Sequence, residues 1–463
     1  MTTRSEHDSM GEMQVPSTAL YGAQTARAYD NFPISGIRFP RPFLRALGLI
    51  KEHAARVNHE LGLLDDQSAM AIMDAAGEVI EGRLDDHFPL DIFQTGSGTS
   101  TNMNTNEVIA HRGTQLLENA SMTLHPNDHV NLGQSSNDVI PTAMHLAAAE
   151  QLVHQLLPAL QALQQTLAEK ATEYDDIIKI GRTHLQDATP IRLGQVFSGY
   201  ARQVELVCGE LDRAVTGLCE LPLGGTAVGT GINTHPKFAR QVIAGIAAVT
   251  GLPLIEATNH FAAQGGKEQV VAASGALKTT AVALFKIAND IRHLSSGPRC
   301  GLGELNLPAV QPGSSIMPGK VNPVMAEALM QVCAQTIGND AAISIGGLSG
   351  NFELNVMMPL MAHNLLQSIE LLTNGVLQFD RRCLQGLTAN REHCEALVEQ
   401  SLAMCTTLAP VIGYDQTAAL AKQAAETGKT IREVLHGSGL LSNTEIERLL
   451  DPRPMTEPGL VQS

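Results

Sequence analysis

The segment that decides the fold runs from Ala149 to Leu167 and reads AEQLVHQLLPALQALQQTL. Ala149 and the Leu and Val residues after it follow one another at spacings of 3, 1, 3, 1, 3, 3 and 4 positions, the pattern of one α-helix face. Pro158 lies inside this pattern and predicts a kink, because proline removes a hydrogen bond from a helix interior. Comparable long helical patterns follow over residues 190–220, 267–296, 323–344 and 355–382. The chain is therefore predicted to be mainly α, with a long bundle of five helices at its centre.

The way these helices are apolar predicts association of subunits. Several patterns are apolar on more than one face, most clearly over Ala272–Leu284, and such helices are normally buried on every side. After residue 391 the patterns become shorter, and before residue 40 the Pro- and Gly-containing sequence is typical of an arm or short strands. We therefore divide the chain into a mostly helical N-terminal domain (1–134), a central long-helix bundle domain (135–390) and a small C-terminal helical domain (391–463).

The composition excludes several classes of partner. The chain has 463 residues, a net charge of −16, 44% hydrophobic residues and no Trp. An acidic chain lacks the basic surface that binds nucleic acids or anionic membranes. The most apolar stretch, around residues 270–285, is interrupted by Lys278, so no membrane span is predicted. Seven Cys without CxxC spacing, and an N-terminus without an apolar signal segment, favour reduced thiols in a cytoplasmic protein.

Four polar, glycine-containing loops interrupt the helical patterns. Each leads into a predicted helix, where Ser, Thr and Asn are good caps. Helix N-termini attract anions through free backbone N–H groups and the helix dipole. Together the loops predict a site that surrounds an oxygen-rich small molecule. They are TGSGTSTN (95–102), HPNDH (125–129) running on to QSSND (134–138), GRTHLQD (181–187) and GSSIMPGKVNP (313–323).

Three patterns look like other kinds of site but lack what those sites require. Gly313–Lys320 has five residues between its glycines and no hydroxyl residue after its lysine, which does not fit a nucleotide phosphate loop. His125 and His129 are four positions apart, but Pro126 and the missing Glu argue against a zinc helix. The glycine-rich segment 224–231 has no strand pattern before it, which argues against a dinucleotide fold.

The loop GSSIMPGKVNP (313–323) resembles the signature of the fumarase/aspartase superfamily. The other three loops occur in the order and at the separations typical of that superfamily. His184, Gly319 and the segment QSSND make the chain similar to class II fumarases and less similar to aspartases. Further similar segments extend the resemblance to nearly the whole chain: EHDSMG (6–11), YGAQT (21–25) and GYD (413–415).

The resemblance implies a mostly helical subunit of three domains, whose central bundles associate into a homotetramer with a 20-helix core. Each active site would be assembled from loops of three subunits. The implied reaction is the reversible hydration of fumarate to L-malate in the tricarboxylic acid cycle, through a stabilised aci-carboxylate intermediate. Neither a metal nor another cofactor is implied. Departures from the family pattern concern packing or local charge: Tyr21, Leu132–Gly133 and Met357–Met358.

The resemblance also implies roles for individual residues. Ser314 is the candidate base, and backbone N–H groups and Lys320 would have to stabilise its alkoxide. Lys320 and Asn322 would hold a substrate carboxylate. His184 would handle the oxygen that is added or lost, and Glu327 of another subunit would raise its basicity. The other substrate-binding candidates are Ser97, Thr99, Ser135, Ser136, Asn137 and Thr183.

A second anion site is implied at His125, Asn127 and Asp128. Two alternatives to a fumarate hydratase stay open from the sequence. An aspartate ammonia-lyase would use the same elimination chemistry and the same base loop. A non-catalytic structural member of the superfamily would share only the fold.

Overall fold

A computed structural model describes residues 2–117 and 121–459 of the chain. Two compact units make up the chain. Their boundaries fall inside the long helices, so each long helix contributes residues to both units. The sequence-based division into 1–134, 135–390 and 391–463 stays a prediction. The first unit comprises Met1–Pro158, Val207–Val282 and Val332–Asn374, and the second comprises Ala159–Leu206, Ala283–Gln331 and Gly375–Ser463.

Helices dominate the described residues, which confirms the prediction of a mainly α chain. The predicted bundle helices are present as long elements. Three shorter helices were not predicted: α8, α9 and α1, the last of which lies before residue 40, where only an arm or short strands were expected. The α-helices are, in chain order, α1 (Ala23–Asn31), α2 (Arg41–Glu60), α3 (Asp66–Ile80), α4 (Thr99–Leu116), α5 (Ser136–Gln151), α6 (Leu157–Glu173), α7 (Leu193–Leu218), α8 (Phe238–Thr250), α9 (His260–Gly265), α10 (Glu268–Leu294), α11 (Val324–Leu348), α12 (Met358–Phe379), α13 (Arg391–Gln400), α14 (Ala409–Ile412), α15 (Tyr414–Thr427), α16 (Ile431–Ser438) and α17 (Asn443–Leu449).

The strands are short and form only two-stranded sheets within the described residues. The N-terminal hairpin of β1 and β2 is where the sequence predicted an arm or short strands. The pair β5–β6 is parallel, and the pairs β1–β2, β3–β4, β7–β10 and β8–β9 are antiparallel. The strands are β1 (Thr3–Asp8), β2 (Gly11–Pro16), β3 (Ile178–Thr183), β4 (Gln186–Arg192), β5 (Glu220–Leu221), β6 (Ile255–Glu256), β7 (Leu305–Asn306), β8 (Gly350–Asn351), β9 (Leu354–Asn355) and β10 (Thr388–Ala389).

The segment that decided the fold is helical, with one irregularity. A π-helical turn at Leu152–Leu156 joins α5 to α6 just before Pro158, which is the second residue of α6. π-helical segments are rare and occur mostly as single-turn bulges inside α-helices. Along the stripe, Leu160 and Leu163 are fully buried. This irregularity lies directly before Pro158, and a kink at the proline itself stays a prediction.

The remaining long helices are α7, α10, α11 and α12, with 26, 27, 25 and 22 residues. Among the described residues, α10 alone has the length and apolar character to cross a membrane, and 44% of its most apolar window is buried in the protein. Lys278 of α10 forms an ion pair with Asp340 of α11, with Nζ and Oδ2 2.5 Å apart. α10 thus carries a charged contact within its most apolar region, at the lysine that the sequence analysis singled out.

The short C-terminal helices form a core of their own in the second unit. Leu408 of the turn before α14, Leu435 of α16 and Leu449 of α17 are fully buried there. Leu420 of α15 belongs to the same core. Capping boxes begin α16 at Thr430 and α17 at Ser442. Each box satisfies backbone N–H groups that a short helix cannot otherwise pair, which explains why such short helices form.

Candidate active site

The first element of the site is the loop before α4, in the first unit. Gly98 precedes the helix with a φ of +74°, a left-handed conformation that favours glycine. The Ser97 and Thr99 hydroxyls are 2.8 Å apart, and the Thr99 hydroxyl is 2.7 Å from that of Ser136. We call Ser97, Thr99 and Ser136 the hydroxyl cradle. It joins the N-terminus of α4 to that of α5.

The second element is the N-terminus of α5, where Ser135 is the cap. The Ser135 hydroxyl accepts a hydrogen bond from the backbone N–H of Asn137, and the Asp138 carboxylate accepts one from the N–H of Ser135 at 2.9 Å. The Asn137 side-chain amide donates to the carbonyl oxygen of Ala227 at 2.8 Å, which leaves its second N–H and its oxygen for other partners. The cap therefore holds Ser136 and Asn137 beside the N-terminal N–H groups of the helix.

These two helix ends together can bind a carboxylate. α4 has 18 residues and α5 has 16, so both have a substantial dipole with its positive end at the cradle. Hydroxyls and helix N–H groups are neutral hydrogen-bond donors, and they can bind an anion although they carry no formal positive charge. A net charge of −16 is therefore compatible with binding of an acid at this place.

The glycine-rich segment 224–231 supports the cradle. Asp138 is fully buried, and its carboxylate accepts hydrogen bonds at 3.0 Å from the backbone N–H groups of Gly224 and Thr226. Burial raises the pKa of Asp138, and these backbone donors together with the charge of Lys51 act in the opposite direction. The sequence of this segment argues against a dinucleotide site but carries no local signal of its contact with α5.

The implied second anion site forms a separate turn in the first unit. Pro126–Val130 is π-helical, and the His125 ring nitrogen Nδ1 accepts from the backbone N–H groups of Asn127 and Asp128 at 3.3 and 3.1 Å. His125 and Asn127 line a cavity of about 500 Å³ together with residues of β1. The turn is distinct from the hydroxyl cradle, and its role stays a prediction.

The third element is the β3–β4 hairpin, in the second unit. His184 and Leu185 form its tip with φ values of +55° and +61°. Positive φ at both positions is typical of the type I′ hairpin turn, where Asn and Gly are usual and other residues are strained by roughly 1–2 kcal/mol each. Thr183 and His184 are exposed at this tip. The candidate residues Thr183 and His184 are thus exposed at a strained turn.

A buried ionic cluster anchors the base of this hairpin. Glu304 is fully buried, with carboxylate oxygens 3.1 Å from the Lys179 ammonium and 2.9 Å from the Arg182 guanidinium. Burial lowers the pKa of Lys179, and the charge of Glu304 opposes this shift. Both cations belong to β3, the strand that ends at Thr183. This cluster was not predicted, although a Lys and an Arg within an otherwise apolar strand were a signal for it.

The fourth element is the loop 313–322, also in the second unit. The Ser314 hydroxyl oxygen accepts hydrogen bonds from the backbone N–H groups of Ile316 and Met317 at 3.2 and 3.1 Å. The loop is closed by the Gly313 N–H, which donates to the Lys320 carbonyl oxygen at 2.8 Å. Two N–H donors on one hydroxyl oxygen favour its ionised form.

Lys320 and Asn322 are joined within this loop. The Lys320 ammonium donates to the Asn322 side-chain oxygen at 2.8 Å, and the Asn322 amide donates to the Gly313 carbonyl oxygen at 2.8 Å. In the described residues Lys320 makes no hydrogen bond to Ser314. The predicted contribution of Lys320 to the alkoxide therefore requires a rearrangement or a charge effect through space.

Glu327 lies in the first turn of α11, a position that the helix dipole favours for an acid. No hydrogen bond or ion pair joins it to His184 in the part of the chain that the structure describes. The structure therefore brings together Ser97, Thr99 and Ser136, places Ser135 and Asn137 beside them, and joins Ser314, Lys320 and Asn322 in one loop. It does not join His184 to Glu327 within a subunit.

Comparison with known proteins finds relatives over nearly the whole chain. A lyase family model matches residues 11–338, and a model described as the fumarase C C-terminus matches residues 404–457. A class II fumarate hydratase of Nitrosomonas europaea is 52% identical over 457 residues, covering 98% of this chain and 99% of the relative. Those of Halobacterium salinarum and Mycobacterium tuberculosis are each 54% identical, covering 99% and 98% of this chain and 98% and 96% of their own.

Solved structures give the same result at the level of the fold. A class II fumarase from Schistosoma mansoni superposes with a TM-score of 0.95 at 42% identity, covering 98% of this chain and 99% of that one. A fumarate lyase:delta crystallin structure from Brucella melitensis superposes with a TM-score of 0.94 at 43% identity, covering 99% of this chain and all of that one. The match extends over nearly the full length, including every candidate loop.

Proposed function

The chain belongs to the class II fumarate hydratases and interconverts fumarate and L-malate, and we propose that it does so by acid–base chemistry without a metal. In the direction of dehydration, the Ser314 alkoxide removes the proton next to the carboxylate of L-malate. The electron pair enters that carboxylate and forms an aci-carboxylate. Hydroxide then leaves from the adjacent carbon and takes a proton from His184, which gives fumarate and water.

The observation that carries this proposal is the surroundings of the Ser314 hydroxyl. A free Ser hydroxyl is a poor base, and the two backbone N–H groups that donate to its oxygen would stabilise the alkoxide more than the neutral hydroxyl. Stabilisation by donors fixed in place before the reaction is the usual route to such an activated group. Lys320 would add positive charge when a substrate separates it from Asn322.

The remaining residues would bind the dicarboxylate. One carboxylate would lie between Lys320 and Asn322, and the other at the N-termini of α4 and α5. Ser97, Thr99, Ser135, Ser136, Asn137 and Thr183 would supply the neutral donors. This arrangement matches the charge that develops on the substrate and explains how an acidic chain accepts a dianion.

We propose that the site is completed by association. His184 would pair with Glu327 of another subunit, in a homotetramer with a 20-helix core whose sites each combine loops of three subunits. Exposed apolar side chains on the long helices support this proposal, since Val282, Ile345 and Leu348 are 57%, 59% and 85% exposed in a single chain. Each subunit would consist of three domains and would act in the cytoplasm, in the tricarboxylic acid cycle. His125, Asn127 and Asp128 would form a second anion site.

Mixed tetramers test the base and the shared site together. Ser314→Ala should lose at least 100-fold in kcat for L-malate dehydration, because no other group in the loop can take the proton. His184→Asn should be similarly inactive. Tetramers that contain both variants should regain activity, because some sites then combine intact loops. Wild-type activity in Ser314→Ala contradicts the base assignment, and no recovery in verified mixed tetramers contradicts the shared site. Loss of activity on treatment with a chelator contradicts the metal-free chemistry.

A further inference from the structure

Lys51 is a fully buried lysine of α2 that the proposed reaction does not use. Its exposed fraction is 0%, which is rare for a lysine without a charged partner. Its ammonium donates to the side-chain oxygens of Asn131 at 3.0 Å and Gln134 at 2.9 Å. Within residues 2–117 and 121–459 no carboxylate lies at ion-pair distance from it. The partners of Lys51 are therefore two side-chain amides of the turn before α5.

The orientation of both amides is fixed by their nitrogen atoms. The Gln134 amide nitrogen donates to the carbonyl oxygens of Val130 and Leu132 at 3.1 and 3.3 Å. The Asn131 amide nitrogen donates to the Gln134 carbonyl oxygen at 3.2 Å. Because the nitrogen of each amide is engaged by the turn itself, each amide oxygen has to face Lys51. The Lys51 ammonium is thus the donor that both amide oxygens of this turn share.

The same amides connect Lys51 to both halves of the first-unit site. The Asn131 side-chain oxygen also accepts from Asn102 and Asn106 of α4 at 3.2 Å each. Gln134 is followed directly by Ser135, the cap of α5. Lys51 of α2 therefore lies where three elements meet. They are α2 itself, α4, which begins at the hydroxyl cradle, and the turn that leads into α5.

We propose that Lys51 is a positioning residue for substrate binding, which holds Ser135–Asn137 in place through Gln134. The inference rests on the proposed role of these residues in binding a substrate carboxylate. Burial lowers the pKa of Lys51 to about 7, against the opposing charge of Asp138. A neutral amine still has two N–H donors, one for each amide oxygen, so the contacts persist in both protonation states. Lys51 acts through its hydrogen bonds and not through a change of charge.

Lys51→Met is the main test, because Met has a similar length and shape but no donor. With both amide oxygens left without their ammonium donor, the turn and the cap of α5 should shift. We expect KM for fumarate and for L-malate to rise at least tenfold in the full-length enzyme, with kcat changed less than threefold, because the loss concerns binding. The matched control is Ile50→Ala, a fully buried neighbour in α2 that supplies no donor to the turn. It should lower thermal stability and leave KM within twofold.

Gln134→Met tests the route from Lys51 to the cap. If Lys51 acts through Gln134, both single variants raise KM, and the double variant Lys51→Met/Gln134→Met raises it no further than the larger single effect. Independent multiplication of the two effects overturns the proposed route. Should Lys51→Met fail to fold, the KM of Gln134→Met alone decides.

The remaining outcomes separate this inference from the proposed function. KM values within twofold of the wild type in both Lys51→Met and Gln134→Met overturn the inference, as does an equal rise of KM in Ile50→Ala. Asn137→Ala measures the cradle itself. If it raises KM while the Lys51 and Gln134 variants do not, the binding site stands and the role of Lys51 fails. If Asn137→Ala leaves KM unchanged, the proposed binding role fails first.

Discussion

Replacing Gly96 by Ala should damage the site through a single added methyl group. A Cβ atom at this position would lie 1.8 Å from the carbonyl oxygen of Val356 and 2.6 Å from its carbonyl carbon. Both are backbone atoms, so neither can turn aside as a flexible side chain would. Because non-bonded atoms need about 3.5–4 Å, the two segments have to separate by more than roughly 1 Å.

The cost can be estimated from these contacts. Overpacking of this kind costs about 1–3 kcal/mol. The Gly96 carbonyl oxygen also accepts a hydrogen bond from the backbone N–H of Met358 at 3.0 Å, which the separation would strain. Loss of such a bond costs about 0.5–1.5 kcal/mol, so the free energy of unfolding should fall by about 1.5–4.5 kcal/mol. Since Ser97 and Thr99 follow directly, kcat/KM should fall on the order of 100-fold, as is typical of a displacement of about 1 Å in an active site.

Gly77→Ala is the matched control, because it adds the same methyl group without a clash. Gly77 lies inside α3, and a Cβ atom there meets no atom within 4 Å. Ala is favoured over Gly in a helix interior by about 1 kcal/mol, so this variant should be slightly more stable and fully active. Urea unfolding followed by circular dichroism, and initial rates of fumarate formation, measure both effects. Equal stability and activity of Gly96→Ala and the wild type refute the reasoning, and so does an equal loss in Gly77→Ala.

Two further predictions concern charged groups. Glu304→Gln should lower the free energy of unfolding by about 3–5 kcal/mol, because it leaves Lys179 and Arg182 buried without their partner. The value of kcat should fall as well. A loss of stability below about 1 kcal/mol, the range of a surface ion pair, would contradict this account. The side-chain hydrogen bond from Arg112 lowers the pKa of Glu78, so the carboxylate contributes stability above its ordinary pKa of 4.5 that is lost as the pH falls through the lowered value. Glu78→Gln should therefore lower the urea midpoint at pH 7 but progressively less below pH about 4.5, and a constant difference at all pH values would contradict the ion-pair account.

The sequence determined the helices of the bundle and the loops that interrupt them. The stripe from Ala149 to Leu167 is read from local spacing, because the helix period is a property of the chain itself. The chemistry of the loop 313–323 is predicted from residue types that are close together in sequence, such as Ser314 between small residues and Lys320 six positions later. Local signals of this kind can be recognised without knowledge of the fold, and the full-length relatives confirm the family that they indicate.

Only the tertiary structure decided which distant residues support these loops. Lys51 and Gln134 are 83 positions apart, and Asp138 and Gly224 are 86 apart, yet each pair is joined by a hydrogen bond. Nothing in the local sequence fixes which amide faces a buried lysine, because that depends on how helices pack in three dimensions. The residues that would do the chemistry can thus be read along the chain, while the buried polar contacts that hold them in place arise only from the packing of elements far apart in sequence.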